Sequence, residues 1–126
     1  MKNTVTSDIR ISEGQTSFMP GQIIRGSLSW LCEKPPKKAH LSLLWYTEGK
    51  GTEDVGVVDM MDIENPHTSE NRTFEFRLPV GPYSFSGRLI SLVWALELQV
   101  DKDITRSEFV LSPSGNEIDL RQKNHS

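Results

Sequence analysis

Among 126 residues there is a single cysteine, Cys32. That excludes an intrachain disulfide and any zinc site built from several thiolates. There is no basic excess either: 14 Lys and Arg face 17 Asp and Glu, a formal net charge of −3. Proteins that read duplex nucleic acid rely on a basic footprint, so no nucleic-acid partner is expected. No apolar run approaches the roughly 20 residues that cross a bilayer as a helix, so no transmembrane segment is expected. The opening residues 1–6 have no apolar centre, so no signal peptide is expected. With one cysteine, this gives the expectation of a cytoplasmic protein. No Gly-x-Ser-x-Gly elbow occurs, and no phosphate-cradling glycine loop precedes a helix. No internal repeat or low-complexity tract is visible.

What is present is a series of short apolar runs separated by turn residues. Seven stretches read as strands: 5–11, 23–31, 39–47, 55–61, 73–78, 89–100 and 106–111. No convincing helix competes with them. In the second, Ile24, Leu28 and Trp30 share one face and Arg25, Ser27 and Ser29 the other, which is the period of a half-buried strand. Gly26 lies on the inward face, where it marks a bulge or a close backbone approach. In 89–100 the even positions Ile90, Leu92, Trp94, Leu96, Leu98 and Val100 are all apolar. Leu89, Val93 and Ala95 blur that pattern, and position among β neighbours decides for a strand. Residues 117–121 are left open between a short strand and a loose end. Each strand offers one apolar stripe that a second layer must cover. The expectation is an all-β fold, a two-sheet antiparallel β-sandwich of immunoglobulin type, with a barrel left open as the alternative. One domain is expected over 1–126, with its core at 5–111 and a C-terminal tail at 112–126.

Residues 78–101, Leu-Pro-Val-Gly-Pro-Tyr-Ser-Phe-Ser-Gly followed by the long strand and Asp101, resemble a passage of the arrestin-like family. There a Leu-Pro pair, a small loop with serine and glycine, a long strand and an aspartate follow one another. Residues 18–28, with Phe18, Gly21 and Gly26, look like that family's opening, although Gln22 stands where an acid is usual. The resemblance spans about residues 5–111. It implies an arrestin-like sandwich and a non-catalytic, partner-binding role. Arrestins and their cargo-adaptor relatives carry two such domains, and this chain has room for one. A bacterial sporulation-control family also uses arrestin-like domains, in longer chains. Signalling arrestins sense phosphate through adjacent basic residues on the first strand, where this chain has only Arg10, preceded by Lys2. Adaptor arrestins recruit ubiquitin ligases through Pro-Pro-x-Tyr, and Pro35-Pro36-Lys37-Lys38 lacks the tyrosine.

The chemistry-bearing residues do not assemble into a site. Asp59, Asp62 and Glu64 are close in sequence but lack the spacing and internal glycine of a calcium loop. They belong to an acidic stretch, 48–75, whose only basic residues are Lys50 and Arg72. His40, His67 and His125 lie far apart, without zinc-ligand spacing. Cys32 sits beside Glu33, a setting that opposes thiolate formation. Trp30, Trp45 and Trp94 fall on apolar faces and read as core, not as a sugar platform. Asn71-Arg72-Thr73 fits a glycosylation sequon by chance. No cofactor, metal or catalytic residue is expected. Lys34, Lys37 and Lys38 form a small basic loop suited to steering an acidic partner. Tyr83 and Phe85, in the crossing loop, are expected to be exposed partner contacts. The leading expectation is a protein-interaction module that uses a sheet edge and loops for an unknown protein partner. The alternative is a self-assembling, homodimeric structural domain, and the weakest is a sugar- or calcium-binding sandwich.

Overall fold

The computed structural model describes residues 3–51 and 53–120. The strands are β1 (Val5–Ile11), β2 (Ser17–Phe18), β3 (Ile23–Cys32), β4 (Ala39–Gly49), β5 (Val55–Asp62), β6 (Ser69–Arg77), β7 (Phe85–Ser86), β8 (Ile90–Val100), β9 (Asp103–Leu111) and β10 (Ile118–Asp119). A single 3-10 turn, Ser12–Gly14, follows β1, and no α-helix occurs among the described residues. The smaller sheet runs β1-β3-β6. The larger runs β10-β7-β8-β4-β5, with β9 also on β8 and β2 on β9. The long ladders are antiparallel, and among the described residues only the two-residue pairs β2–β9 and β10–β7 are parallel.

The core lies between the sheets because each strand turns its apolar parity inward. Ile24, Leu28, Trp30, Phe74 and Phe76 come from the smaller sheet. Leu41, Leu43, Trp94, Leu96, Leu98, Val100 and Phe109 come from the larger. Phe109 sits edge-on to Phe18 at 5.4 Å and tilted against Trp94 at 6.1 Å. Trp30 and Trp94 are fully inside, as the alternation requires. Trp45 is half-buried at the margin, its indole lying where a Cβ on Gly56 would stand. Gly26 marks a close approach: a Cβ there would overlap the carbonyl oxygen of Arg10 and come within 2.7 Å of the Phe74 ring.

Two strands begin earlier than the hydrophobic pattern indicates. β6 starts at Ser69 instead of 73, with Ser69–Arg72 laddered to Leu28–Leu31 of β3. The segment is polar throughout, even at Glu70 whose side chain is largely buried, so it shows no apolar alternation and only its backbone pairing reveals it. β9 starts at Asp103 instead of 106, directly after a tight turn in which Asp101 takes the left-handed φ of 54°. Residues 89–100 form a strand from Ile90, paired along its whole length with β4. Past Leu111 the chain stays in the fold: Ser112 is buried and Ile118–Asp119 pairs with β7.

One flank of the sandwich is closed and the other is open. On the closed flank, β1 approaches β9 and the hydroxyls of Ser7 and Thr105 share a hydrogen bond. On the other flank lie β5 and β6, the terminal strands of their sheets. Among the described residues no further strand pairs with either.

Candidate interaction surfaces

The basic loop between β3 and β4 is held from both sides. The amide oxygen of Asn3 accepts from the Lys34 N–H at 3.1 Å, and its amide nitrogen donates to the Lys34 carbonyl at 2.9 Å. The carboxylate of Asp101 accepts from the backbone N–H groups of Lys37 and Lys38 at 2.8 and 3.1 Å. These bonds use backbone atoms and leave Lys34, Lys37 and Lys38 exposed. The loop borders an open depression of about 600 Å³ with Lys37, Lys38, His40, Asp62, Glu64 and Pro66 on its walls. Its charges are mixed.

Tyr83 and Phe85 lie at the other end of the molecule. The indole N–H of Trp94 donates to the Pro82 carbonyl at 2.6 Å and ties the crossing loop to the core. Tyr83 is 37% exposed, while Phe85 is half-buried against the core. The expected exposure of Phe85 is therefore corrected: as a strand residue paired with Leu92, it turns its ring inward. Phe85 sits opposite Leu92, and the basic loop leads into Ala39, opposite Val100. Eight residues of extended chain separate those positions, about 26 Å. The five candidate contacts thus form two separate surfaces. His40 lines the depression and His67 lies in the loop before β6, where its carbonyl accepts from the Trp30 indole at 2.8 Å. His125 lies outside the described residues. Among those residues no three His, Cys, Asp or Glu side chains are placed to hold a metal ion. No helix among them is long and apolar enough to cross a membrane.

The sequence reading missed the outward face of the larger sheet. There Ala95 is fully buried and Leu44 nearly so, although both point away from the inter-sheet core. Their cover is a polar latch. Arg106 stacks over the Tyr46 ring, 4.5 Å from its centroid, and pairs with Glu97 at 2.6 Å. The Tyr46 hydroxyl donates to Glu108 at 2.7 Å. Burial pushes the Tyr46 phenol up to about 12, helped by its hydrogen bond to the Glu108 carboxylate. The hydrogen bond to Glu97 holds the Arg106 guanidinium charged more firmly than usual. The fold thus favours the neutral phenol. Its contribution is complete below about pH 10, the ordinary tyrosine value, and is lost as pH rises toward about 12. Tyr46→Phe is expected to cost about 1 kcal/mol at pH 7. It should also flatten the alkaline fall relative to wild type, as read from denaturant melts at pH 7 and at about pH 11, between the ordinary and the raised value.

Beside the latch lies β5. Val55, Val57 and Met60 sit opposite Tyr46, Leu44 and Ser42 and share their outward face. They are 63%, 55% and 46% exposed. The register shifts between Leu43 and Leu44, which leaves Val58 as an extra residue on β5. The sequence signal was the doublets Val57-Val58 and Met60-Met61, which put apolar side chains on both faces of one strand.

No family model matches this sequence, and a search of curated proteins finds no match. Solved structures do resemble it. The sporulation control protein Spo0M from Bacillus subtilis superposes with a TM-score of 0.60 at 11% identity, over 85% of this chain and 49% of Spo0M. The chain thus spans about half of that protein's length, and the likeness establishes the fold: an arrestin-like β-sandwich. The alkylpurine DNA glycosylase AlkC of Pseudomonas fluorescens gives a TM-score of 0.47 at 13% identity, over 85% of this chain and 30% of AlkC. A β-glucosidase from Listeria innocua gives 0.46 at 10% identity, over 90% of this chain and 16% of the enzyme. Those two likenesses carry no functional argument.

Proposed function

We propose that this chain is a non-catalytic protein-interaction module of the cytoplasm that binds a protein partner through a sheet edge and adjoining loops. One observation carries the reading. Among the described residues thirteen large apolar side chains are left exposed, and four of them (Val55, Val57, Val58 and Met60) fall within six residues of a single strand. That strand is an open sheet edge among the described residues. Clustered apolar exposure on an unpaired edge marks a surface that another chain covers. The likeness to a sporulation control protein fits a regulatory, non-enzymatic role. The basic loop would add electrostatic steering toward an acidic region of the partner.

Cross-linked capture from the source lysate tests this when wild type is run beside Val57→Lys and the triple variant Lys34→Ser, Lys37→Ser, Lys38→Ser. All four positions are exposed, so both variants should fold. A protein retained by wild type and lost with Val57→Lys supports the reading. Its weakening with the triple variant gives the basic loop its steering role. Bait cross-linked only to itself would replace the reading with homodimeric self-assembly. Equal recovery by all three proteins would contradict it.

A further inference from the structure

We propose that the free edge of β5 takes up an extended segment of another protein in which basic and apolar residues alternate. The inference rests on the interaction-module reading and specifies its ligand chemistry. Strand addition supplies the geometry: an open edge presents backbone donors and acceptors, and alternate side chains of an incoming strand fall on one face. On that face the segment's apolar residues would lie beside Val55, Val57 and Met60.

Charge decides the rest. From Glu48 to Glu64 the chain has six carboxylates and one lysine. All six are exposed, and none joins an ion pair among the described residues. Near Asp62 and Glu64, Lys37 and Lys38 line the same depression and offset the acids. Of the other four, Glu48 belongs to β4 and Glu53 to the loop before β5, which leaves Asp54 and Asp59 as the uncompensated carboxylates next to and on the edge strand, and the ligand's basic residues belong opposite those two.

The same features turn away a second copy of this chain. An antiparallel β5–β5 pair centred on Val58 would bring the two Asp59 side chains to neighbouring positions on one face. Asp59 pairs with Leu43, whose side chain faces the core, so its carboxylate stands on the inward side of the edge, next to the bulge at Val58. A bulge and an inward charge are devices that keep like edges apart. A lysine or arginine from a different chain would turn that guard into a recognition contact. By contrast, β6 is polar along its exposed length, and the side chain of Glu75 is already paired with Arg25 at 2.9 Å.

The test is a titration of the isotope-labelled protein, read by backbone amide NMR, with an octapeptide of alternating lysine and valine. Three comparisons accompany it: an alternating glutamate–valine octapeptide, the lysine peptide N-methylated at alternate amides, and the lysine peptide against Asp54→Asn/Asp59→Asn. Asparagine keeps the side-chain oxygen that accepts the Met60 N–H at Asp59, so the double variant should fold. The expected result is shifts concentrated in residues 54–62 and weakened by salt. They should be absent with the glutamate peptide, abolished by N-methylation, and about tenfold weaker in affinity for the double variant. Shifts spread over other acidic surfaces, or binding indifferent to N-methylation or to the double variant, would overturn the proposal. If the lysine peptide fails while Val57→Lys still abolishes partner capture, the ligand chemistry is wrong and the interaction module stands. If both fail, the module reading falls with it.

Discussion

Trp94→Ala is expected to lower the stability to unfolding by about 3–5 kcal/mol, the cost of emptying a large aromatic site in a packed core. Trp94 is fully buried, lies 6.1 Å from Phe109, and sits in the middle of the larger sheet's long central strand. The site cannot collapse easily, because β4 and β9 hold the strand on both sides. The indole has a second task, the bond to the Pro82 carbonyl that fixes the crossing loop. Trp94→Phe separates the two roles. It keeps most of the apolar volume and should lose less stability than Trp94→Ala, while the amide signals of residues 80–86 broaden or shift. Urea denaturation gives the first quantity and backbone NMR the second. A Trp94→Phe protein with unchanged loop signals would show that packing alone positions Tyr83.

Gly26→Ala is the second large effect, about 3 kcal/mol, at the upper end for an overpacked position. A new Cβ would overlap the Arg10 carbonyl oxygen, which is backbone and cannot rotate aside, and would press on the Phe74 ring. Gly26 has no positive φ, so the cost is steric and not conformational. The strain would fall on the pairing of Gly26 with Ile11 in β1 and with Phe74 in β6. Gly14→Ala is the informative contrast. Nothing lies within 4 Å of its Cβ position, but φ is +64°, so it should cost only about 1 kcal/mol. If the two substitutions cost the same, the close approach of β1 at Gly26 is not what the residue serves.

The sandwich was legible in the sequence because its central strands carry the strongest signal. Strand β8, alternating from Ile90 to Val100, and β3, with Ile24, Leu28 and Trp30 inward, each betray one buried face. The arrestin-like resemblance in residues 78–101 pointed to the same fold, and the likeness to Spo0M agrees with it. What stayed hidden was set by contacts distant in sequence. The Asp101 clamp on Lys37 and Lys38 spans more than 60 residues and depends on a turn no local pattern reveals. Likewise the latch over Ala95 needs Tyr46 and Arg106 brought together from β4 and β9. Reading β5 simply as a strand overlooked that it ends its sheet, and edge position is a property of topology, not of residue pattern. For the same reason Lys34, Lys37 and Lys38 could be grouped by sequence, but their distance from Tyr83 along β8 could not.

Strand β5 as an open edge kept for a different protein chain is the claim on which the functional reading depends. Backbone hydrogen exchange of the free protein, followed residue by residue at low and at high protein concentration, tests it most directly. The amides of β4 and β8 should exchange slowly, and alternate amides of β5, those turned away from β4, should exchange fast at both concentrations. Uniform protection of β5 that grows with concentration would mean that a second copy covers the edge, and would contradict the account.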